Sequence, residues 1–177
     1  MTIVVEDGTQ VNGANSYISV ADADSYHTGM GNSAWLSLTE AQKESALLQA
    51  TQYMVAIYRL RWQGLRVSPT QWLDWPRIGV ILKDTASFFV DQRLSYTVPA
   101  NVVPLVVTQA CAILALKAST QDLAPDLDPR TLVEKVGPIQ VNYDRFSPQY
   151  RRFRIVDLML NAYLDATNGL TTRINRA

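Results

Sequence analysis

The side chains of this sequence best suited to binding chemistry form a cluster of tryptophans and arginines between residues 59 and 77. The 177-residue chain has one cysteine, Cys111, and one histidine, His27. A disulfide framework, a Cys/His zinc site and a Cys–His nucleophile that needs a second cysteine or histidine are therefore excluded. The cluster instead sets indole rings among guanidinium groups. It contains Trp62, Trp72 and Trp75 among Arg59, Arg61, Arg66 and Arg77, with Trp35 further upstream.

This pattern of rings and arginines allows three interpretations. Aromatic rings interleaved with arginines can stack bases and neutralise phosphates, as in proteins that hold a single strand of nucleic acid. Tryptophan and arginine are also the favoured anchors of protein interfaces. The third interpretation is a compact loop packed down by its own tryptophans, which Ser68-Pro69, Trp75-Pro76 and Gly79 favour over residues 66–80. The sequence alone leaves all three open.

The familiar nucleotide and nucleophile motifs are missing. Residues 29–34, Gly-Met-Gly-Asn-Ser-Ala, superficially match a dinucleotide fingerprint, but they follow a predicted helix, whereas the fingerprint must follow a strand. The sequence has neither a phosphate-binding Gly-x-x-x-x-Gly-Lys-Ser/Thr loop nor a Gly-x-Ser-x-Gly elbow. We therefore predict no cofactor, no catalytic residue and no enzymatic activity.

Two pairs of aspartates are candidate cation ligands, but neither has the spacing of a calcium loop. The pair Asp22 and Asp24 lies at a predicted helix start, and the pair Asp126 and Asp128 lies in a segment with the composition of a linker. We expect both pairs to be solvated cap and linker charges and predict no metal site. We also expect His27, near a helix end, to be a surface or cap residue.

Apolar periodicity predicts a mainly α fold, a small bundle of about four helices with a minor β-hairpin or short strands. Ser19 and the Thr39-Glu40-Ala41-Gln42 capping box mark two helix starts. The third predicted helix is apolar on most sides over residues 105–118, so it should form the centre of the core or face a neighbouring subunit. The predicted helices span residues 20–29, 39–61, 98–118 and 149–166.

The other segments complete a single domain over residues 1–177. Residues 3–20 predict a short β-hairpin or an extended arm, placed at about residues 1–18, and residues 134–143 predict a strand or strand pair. The polar end of the chain predicts a mobile tail at about residues 168–177. The sequence shows neither a secretory signal nor a membrane-spanning segment, so we expect a cytoplasmic site of synthesis.

Charge is balanced overall but unevenly distributed. Sixteen Lys and Arg match sixteen Asp and Glu, which gives no diffuse attraction to nucleic acid. Residues 1–58 hold six acids and one lysine, whereas residues 145–177 hold six arginines and two aspartates. The acidic and basic ends can pair within one molecule or between neighbours in a ring, and both possibilities remain open.

Three separated segments resemble small proteins of tailed bacteriophages and prophages. They are Glu6-Asp7-Gly8 with residues 13–20 and Ala23-Asp24, the loop Gln71-Trp72-Leu73-Asp74-Trp75-Pro76-Arg77, and residues 134–138, Glu-Lys-Val-Gly-Pro. In this order, across about residues 5–165, they resemble the head-tail connectors, also called adaptors or head-completion proteins. Members of this family often carry the description DnaT-like single-stranded-DNA-binding protein.

The resemblance implies a structural virion protein. Such connectors form a ring, typically a dodecamer, beneath the portal of the filled head, extend the DNA channel and join the capsid to the tail. The implied partners are copies of the same chain, the portal protein, a downstream neck or tail protein, and genomic double-stranded DNA that passes without sequence readout. The implied location is the virion neck, after assembly in the host cytoplasm. The alternative is a DnaT-like single-stranded-DNA-binding replication accessory protein.

The resemblance also indicates which residues to follow. Trp75, Pro76 and Arg77 correspond to the Trp-Pro-Arg segment of the family. The final helix and tail are candidates for contact with the portal or with neighbouring copies. The candidate interface or structural residues are Trp72, Trp75, Pro76, Arg77, Arg151, Arg152 and Arg154.

Overall fold

The computed structural model describes residues 2–82, 96–126 and 153–165, together with the backbone of residues 133–136 and 139–142. The described residues form five α-helices and two antiparallel strand pairs, so the predicted mainly α fold with minor strands is confirmed. The helices are α1 (Val20–Gly29), α2 (Ser33–Leu36), α3 (Glu40–Tyr58), α4 (Leu105–Ala118) and α5 (Arg154–Leu160), which continues into a 3₁₀ turn (Asn161–Tyr163). The strands are β1 (Leu65–Arg66) paired with β2 (Arg77–Ile78), and β3 (Val133–Val136) paired with β4 (Ile139–Asn142).

Both predicted helix starts are confirmed by side-chain caps. Ser19 Oγ accepts a hydrogen bond from the Asp22 amide at 3.0 Å, which satisfies one free amide at the start of α1. At α3, Thr39 and Gln42 form a reciprocal capping box: the Gln42 side chain accepts from the Thr39 amide at 2.9 Å, and Thr39 Oγ1 accepts from the Gln42 amide at 3.4 Å.

The long helices α3 and α4 pack against each other at the centre of the core. Along α4, Ala110, Cys111, Leu114 and Ala115 are fully buried, as expected for a helix that is apolar on most sides. Thr51 of α3 lies 3.5 Å from the Cys111 sulfur. Burial raises the pKa of Cys111 to about 11, so the thiol stays protonated and acts as a small apolar core group.

The ends of two predicted helices were wrong. The third helix begins at Leu105 rather than at residue 98, because Pro104 is extended and occupies the N-cap position. The last helix is described only from Arg154 and leaves α geometry after Leu160, whereas the prediction placed it over 149–166. Its predicted apolar side is confirmed, since Val156, Leu160 and Leu164 are buried.

The expectation that His27 lies at the surface was wrong. Its side chain is fully buried between α1 and α4, where Nε2 lies 3.1 Å from the Ala112 carbonyl oxygen and Nδ1 lies 3.0 Å from the Asn32 side-chain amide. The Ala112 carbonyl oxygen can only accept, so Nε2 carries a proton, and burial lowers the pKa of the ring, which favours its neutral form. The Trp35 ring packs against this ring, with 4.7 Å between the centroids and a tilt of 37°. Its indole nitrogen donates to Asp24 at 2.6 Å, and Trp35 is fully buried in the core.

The two acids at the start of α1 have structural roles. Asp22 accepts from the Ser19 hydroxyl at 2.6 Å, and Asp24 pairs with Lys43 at 2.9 Å. Burial acts to raise the pKa of Asp24, but hydrogen bonds from Lys43 and Trp35 outweigh it and hold the pKa below its usual value. Within the described residues, no group of three or more His, Cys, Asp or Glu side chains could hold a metal ion.

Several predicted features lie outside the described residues, namely Asp128, Arg151, Arg152 and the tail at about residues 168–177. The N-terminal segment folds back on itself, with one isolated parallel bridge between Val5 and Ser16 and a hydrogen bond from the Asn15 amide to the Val4 carbonyl at 2.8 Å. The strand pair predicted within residues 134–143 is confirmed as β3 and β4. None of the described helices has the length and apolar character needed to cross a membrane.

The neutral, buried His27 predicts a loss of stability in mild acid. Burial lowers its pKa below the usual 6.5, so the unfolded chain takes up a proton before the folded chain does. The free energy of unfolding should be flat in this contribution above about pH 6.5 and should fall as the pH is lowered further. Urea titrations of the wild type and His27→Gln from about pH 8 to about pH 5 measure the difference. An equal slope in both proteins would contradict the assignment.

Candidate functional site

The Trp-Pro-Arg loop, residues 71–77, is folded into the protein around Trp75. This indole ring is fully buried and meets the edges of two other aromatic rings, Trp62 at 5.5 Å and Tyr163 at 5.9 Å between centroids. Trp62 follows the end of α3, and Tyr163 lies in the 3₁₀ turn after α5. Trp75 therefore joins three distant segments of the chain through perpendicular ring contacts, a favourable geometry for aromatic pairs.

Arg77 fastens the loop to the turn after α3. Its guanidinium donates to three main-chain carbonyl oxygens: Nε to Gln63 at 2.8 Å, Nη2 to Gly64 at 2.7 Å and Nη1 to Asp74 at 3.2 Å. The side chain is buried, and its planar set of donors matches this fixed set of acceptors. These bonds occupy the polar face of Arg77, so its observed role is structural.

Gln71 and Asp74, to which the sequence analysis assigned no role, complete the turn. Gln71 donates to the carbonyl oxygens of Leu73 at 2.8 Å and Pro76 at 3.1 Å. The amide of Asp74 donates to the Tyr17 hydroxyl at 3.0 Å. Gln71, Asp74 and Tyr17 all lie within the segments that carry the family resemblance, and the structure shows that two of these segments meet at the Tyr17–Asp74 contact.

Gln63 is a further structural residue that no sequence motif indicated. Its side chain donates to the Ala162 carbonyl at 2.8 Å and accepts from the Ile81 amide at 3.3 Å. Its own amide donates to the Tyr163 carbonyl at 3.0 Å. Gln63 thus connects the turn after α3 with the segment after β2 and with the end of the last helix. Its partners are main-chain groups far apart in sequence, so neither spacing nor periodicity could have predicted its role.

The other arginines of the cluster also have protein partners. Arg59 lies 3.5 Å from the Asp74 carboxylate, Arg61 lies 3.4 Å from that of Asp157, and Arg66 donates to the Gln71 carbonyl at 3.3 Å. Burial raises the pKa of Asp74 despite the nearby arginine charges. With Trp62, Trp75 and Arg77 buried, the cluster supports the packed-loop interpretation rather than a platform for bases and phosphates.

Trp72 is the exception, because its ring is 62% exposed. Its indole nitrogen donates to the Asn12 side chain of the N-terminal arm at 3.0 Å, which orients the ring without covering it. An exposed indole at a fixed position is suited either to a protein contact or to stacking on a base. Trp72 therefore keeps both binding interpretations open at this one residue.

The predicted arginines of the last helix are placed only in part. Arg154 is the first residue of α5 and is exposed, whereas Arg151 and Arg152 lie outside the described residues. Pro76 is buried in the loop beside Trp75 and Arg77. The described structure thus brings Trp75, Pro76 and Arg77 together, and it places Arg154 on a different element.

Large apolar side chains are exposed on several elements outside the loop. Leu65 and Ile78 are directly opposed in the β1–β2 pair and are 76% and 51% exposed. Ile155 and Leu158, one turn apart on α5, are 55% and 60% exposed. Single exposed apolar residues are common, whereas neighbouring ones on ordered elements are candidates for a contact surface.

The contrast between the two loop tryptophans can be tested by substitution. Trp75→Ala should lower the free energy of unfolding by about 3–5 kcal/mol, because it empties a fully enclosed aromatic site. Trp72→Ala is the matched control and should cost about 1 kcal/mol or less, since the ring is mostly exposed and loses one hydrogen bond. Equilibrium denaturation measures both. Equal effects of the two substitutions would show that the assigned burial is wrong.

Comparison with known proteins places the chain in a family. No curated protein and no solved structure matches the chain. One family model, described as "Putative DnaT-like ssDNA binding protein", matches residues 1–177. This match covers the arm, the Trp-Pro-Arg loop and the last helix together, so the chain belongs to that DnaT-like family.

Proposed function

We propose that this protein is a structural subunit that assembles with copies of itself into a ring, the head-tail connector of a tailed bacteriophage. In this role it lies beneath the portal protein, prolongs the DNA channel and contacts a downstream neck or tail protein. The ring works through protein contacts and catalyses no reaction. The observation that carries the proposal is the exposure of large apolar side chains on two ordered elements, β1–β2 and α5.

The arrangement of these side chains suits a ring subunit. A closed ring with head-to-tail contacts needs two different surfaces on every copy, one for each neighbour. The Leu65–Ile78 pair and the Ile155–Leu158 pair supply apolar groups on separate elements. The cores of stable protein interfaces are built from such apolar groups, surrounded by a polar rim.

The uneven charge distribution also favours a head-to-tail arrangement. The acids of residues 1–58 and the arginines of residues 145–177 favour contacts in which the front of one copy meets the back of the next. Arg154 is exposed at the start of α5, next to Ile155. Arg151, Arg152 and Arg154 are therefore the arginines that we assign to this contact.

Single-stranded-DNA binding is the second candidate, and the description of the matched family favours it. Trp72 is the residue best placed for it, because an exposed indole can stack on a base. The balanced net charge and the protein partners of Arg59, Arg61, Arg66 and Arg77 favour the ring instead.

Reversal of charge at Arg151, Arg152 and Arg154 tests the ring. The variant Arg151→Glu/Arg152→Glu/Arg154→Glu should assemble less than the wild type, most clearly at low salt, where charge pairs are least screened. Native mass spectrometry over a range of salt concentrations measures the distribution of assemblies. Lys117→Glu, at an exposed position of α4, is the control and should assemble normally. Unchanged assembly of the triple variant would contradict this role for the arginines.

A short oligonucleotide separates the two candidates. The ring proposal expects weak binding of a fluorescent single strand, with no effect of Trp72→Ala. A replication accessory would bind it tightly, with a steep salt dependence and a loss of about 1–3 kcal/mol in binding free energy on Trp72→Ala. Fluorescence anisotropy measures both quantities. Tight, salt-sensitive binding by a monomer that needs Trp72 would overturn the ring proposal.

A further inference from the structure

An acidic cleft lies between the N-terminal arm, α1 and the start of α4. Its volume is about 370 Å³, within the range of pockets that enclose a small ligand group. Glu6, Asp7 and Asp22 bring three carboxyl groups to its lining, and the described residues that line it include no lysine or arginine. The cleft is therefore a site of concentrated negative charge.

Glu6 gives this cleft a buried carboxylate with an unused oxygen. The residue is 1% exposed, and its Oε1 accepts from the amides of Gly8 and Gln10, both at 2.9 Å. Its Oε2 is buried without a hydrogen-bond partner among the described residues. A buried polar oxygen without a hydrogen-bond partner is costly, so the site gains from a ligand that donates a hydrogen bond to it.

The arm holds Glu6 in place through its backbone. The Glu6 amide donates to the Ser16 carbonyl at 2.9 Å, which ties the arm to the segment that leads into α1. Gly8 has a φ of +108° and packs so closely on the Asn101 carbonyl that any side chain there would collide with it. The Glu6-Asp7-Gly8 segment therefore sets the acids against the start of α4.

The remaining acids lie at the exposed side of the cleft. Hydrogen bonds from the Thr9 side chain and amide lower the pKa of Asp7, so this carboxylate is ionised at neutral pH. Both of these bonds use Oδ1, at 2.6 Å and 2.9 Å. Asp22 accepts from the Ser19 hydroxyl through Oδ2. Each acid thus keeps a fixed orientation through one oxygen.

Apolar and aromatic side chains supply most of the remaining lining, together with Thr108 and Gln109. Val103 and Tyr26 are half-buried, and Leu105 is 69% exposed at the mouth. Acids beside aliphatic and aromatic groups match a long basic side chain, whose stem packs on apolar surface while its charged end meets the carboxylates. A guanidinium can also donate to several carboxylates at once, in fixed directions.

We propose that this acidic cleft receives an arginine side chain from the C-terminal third of a second copy of the chain. The inference rests on the proposed ring and gives its charged contact a specific site. The basic excess of residues 145–177 is entirely arginine, and the cleft lies in the acidic first 58 residues and the start of α4. One copy can therefore offer its cleft to one neighbour and its arginines to the other.

A peptide tests the site directly. A fluorescent peptide of residues 145–156, with four arginines, is titrated with the full chain, and a peptide with those arginines changed to glutamine is the control. Glu6→Gln and Asp7→Asn remove charge but keep the oxygens that accept the observed hydrogen bonds. Each should weaken peptide binding by about tenfold, whereas Asp126→Asn, an exposed acid outside the cleft, should not. Binding that is equal in the cleft and control variants would overturn the proposal, as would absence of binding to the wild type.

Mixing of two defective copies shows whether the contact joins molecules. A cleft variant, Glu6→Gln/Asp7→Asn, and an arginine variant, Arg151→Gln/Arg152→Gln/Arg154→Gln, should each assemble less than the wild type. Mixed together, they should form pairs, because the arginine variant keeps a working cleft and the cleft variant keeps its arginines. Circular dichroism melting curves establish that both variants are folded. A mixture that forms no pairs would overturn the contact between copies.

The outcomes separate this inference from the proposed function. If the wild type assembles and the cleft variants assemble equally well, the cleft assignment fails and the ring stands. If the wild type never assembles but the peptide still binds at the cleft, the ring fails. The second copy then also fails as the occupant of the cleft, so the ring and the further inference are both overturned.

Discussion

The fold around the Trp-Pro-Arg loop depends on one buried guanidinium. Arg77 holds the turn after α3 and the loop itself through hydrogen bonds to three carbonyl oxygens. With the loop fixed, Trp75 closes against Trp62 and Tyr163, and the Asp74 amide reaches Tyr17 beside the N-terminal arm. Elements that are far apart in sequence are thereby locked into one unit, so the surfaces they carry have fixed relative positions.

Because these elements have fixed relative positions, the protein can bind partners through its surface. The tryptophans and arginines that look like a nucleic-acid groove in the sequence are mostly used to build the loop, which leaves Trp72 as its exposed ring. The exposed apolar pairs on β1–β2 and α5 and the acidic cleft beside Glu6 lie outside the loop. We infer that the loop stabilises the subunit and that the surrounding surfaces carry the contacts with neighbours.

Helix caps and other local features were predictable from the sequence, and long-range contacts were not. The Ser19 and Thr39 caps and the apolar sides of the long helices follow from spacing alone. His27 was misplaced because its burial depends on α4, 85 residues away, whose approach no local pattern encodes. Gln63 and Gln71 act through main-chain carbonyls, which sequence patterns do not show. The cleft was partly foreseeable, since the acidic front of the chain is visible in its composition, but the meeting of arm, α1 and α4 is not.

Cryo-electron microscopy of assemblies that contain this chain would show directly whether its copies form a ring. We expect a closed ring of copies in which Trp75 and Arg77 remain buried within each subunit and an arginine of one copy enters the cleft beside Glu6 of the next. A single copy bound along one DNA strand, with a base stacked on Trp72 and no neighbouring copy in contact, would contradict it.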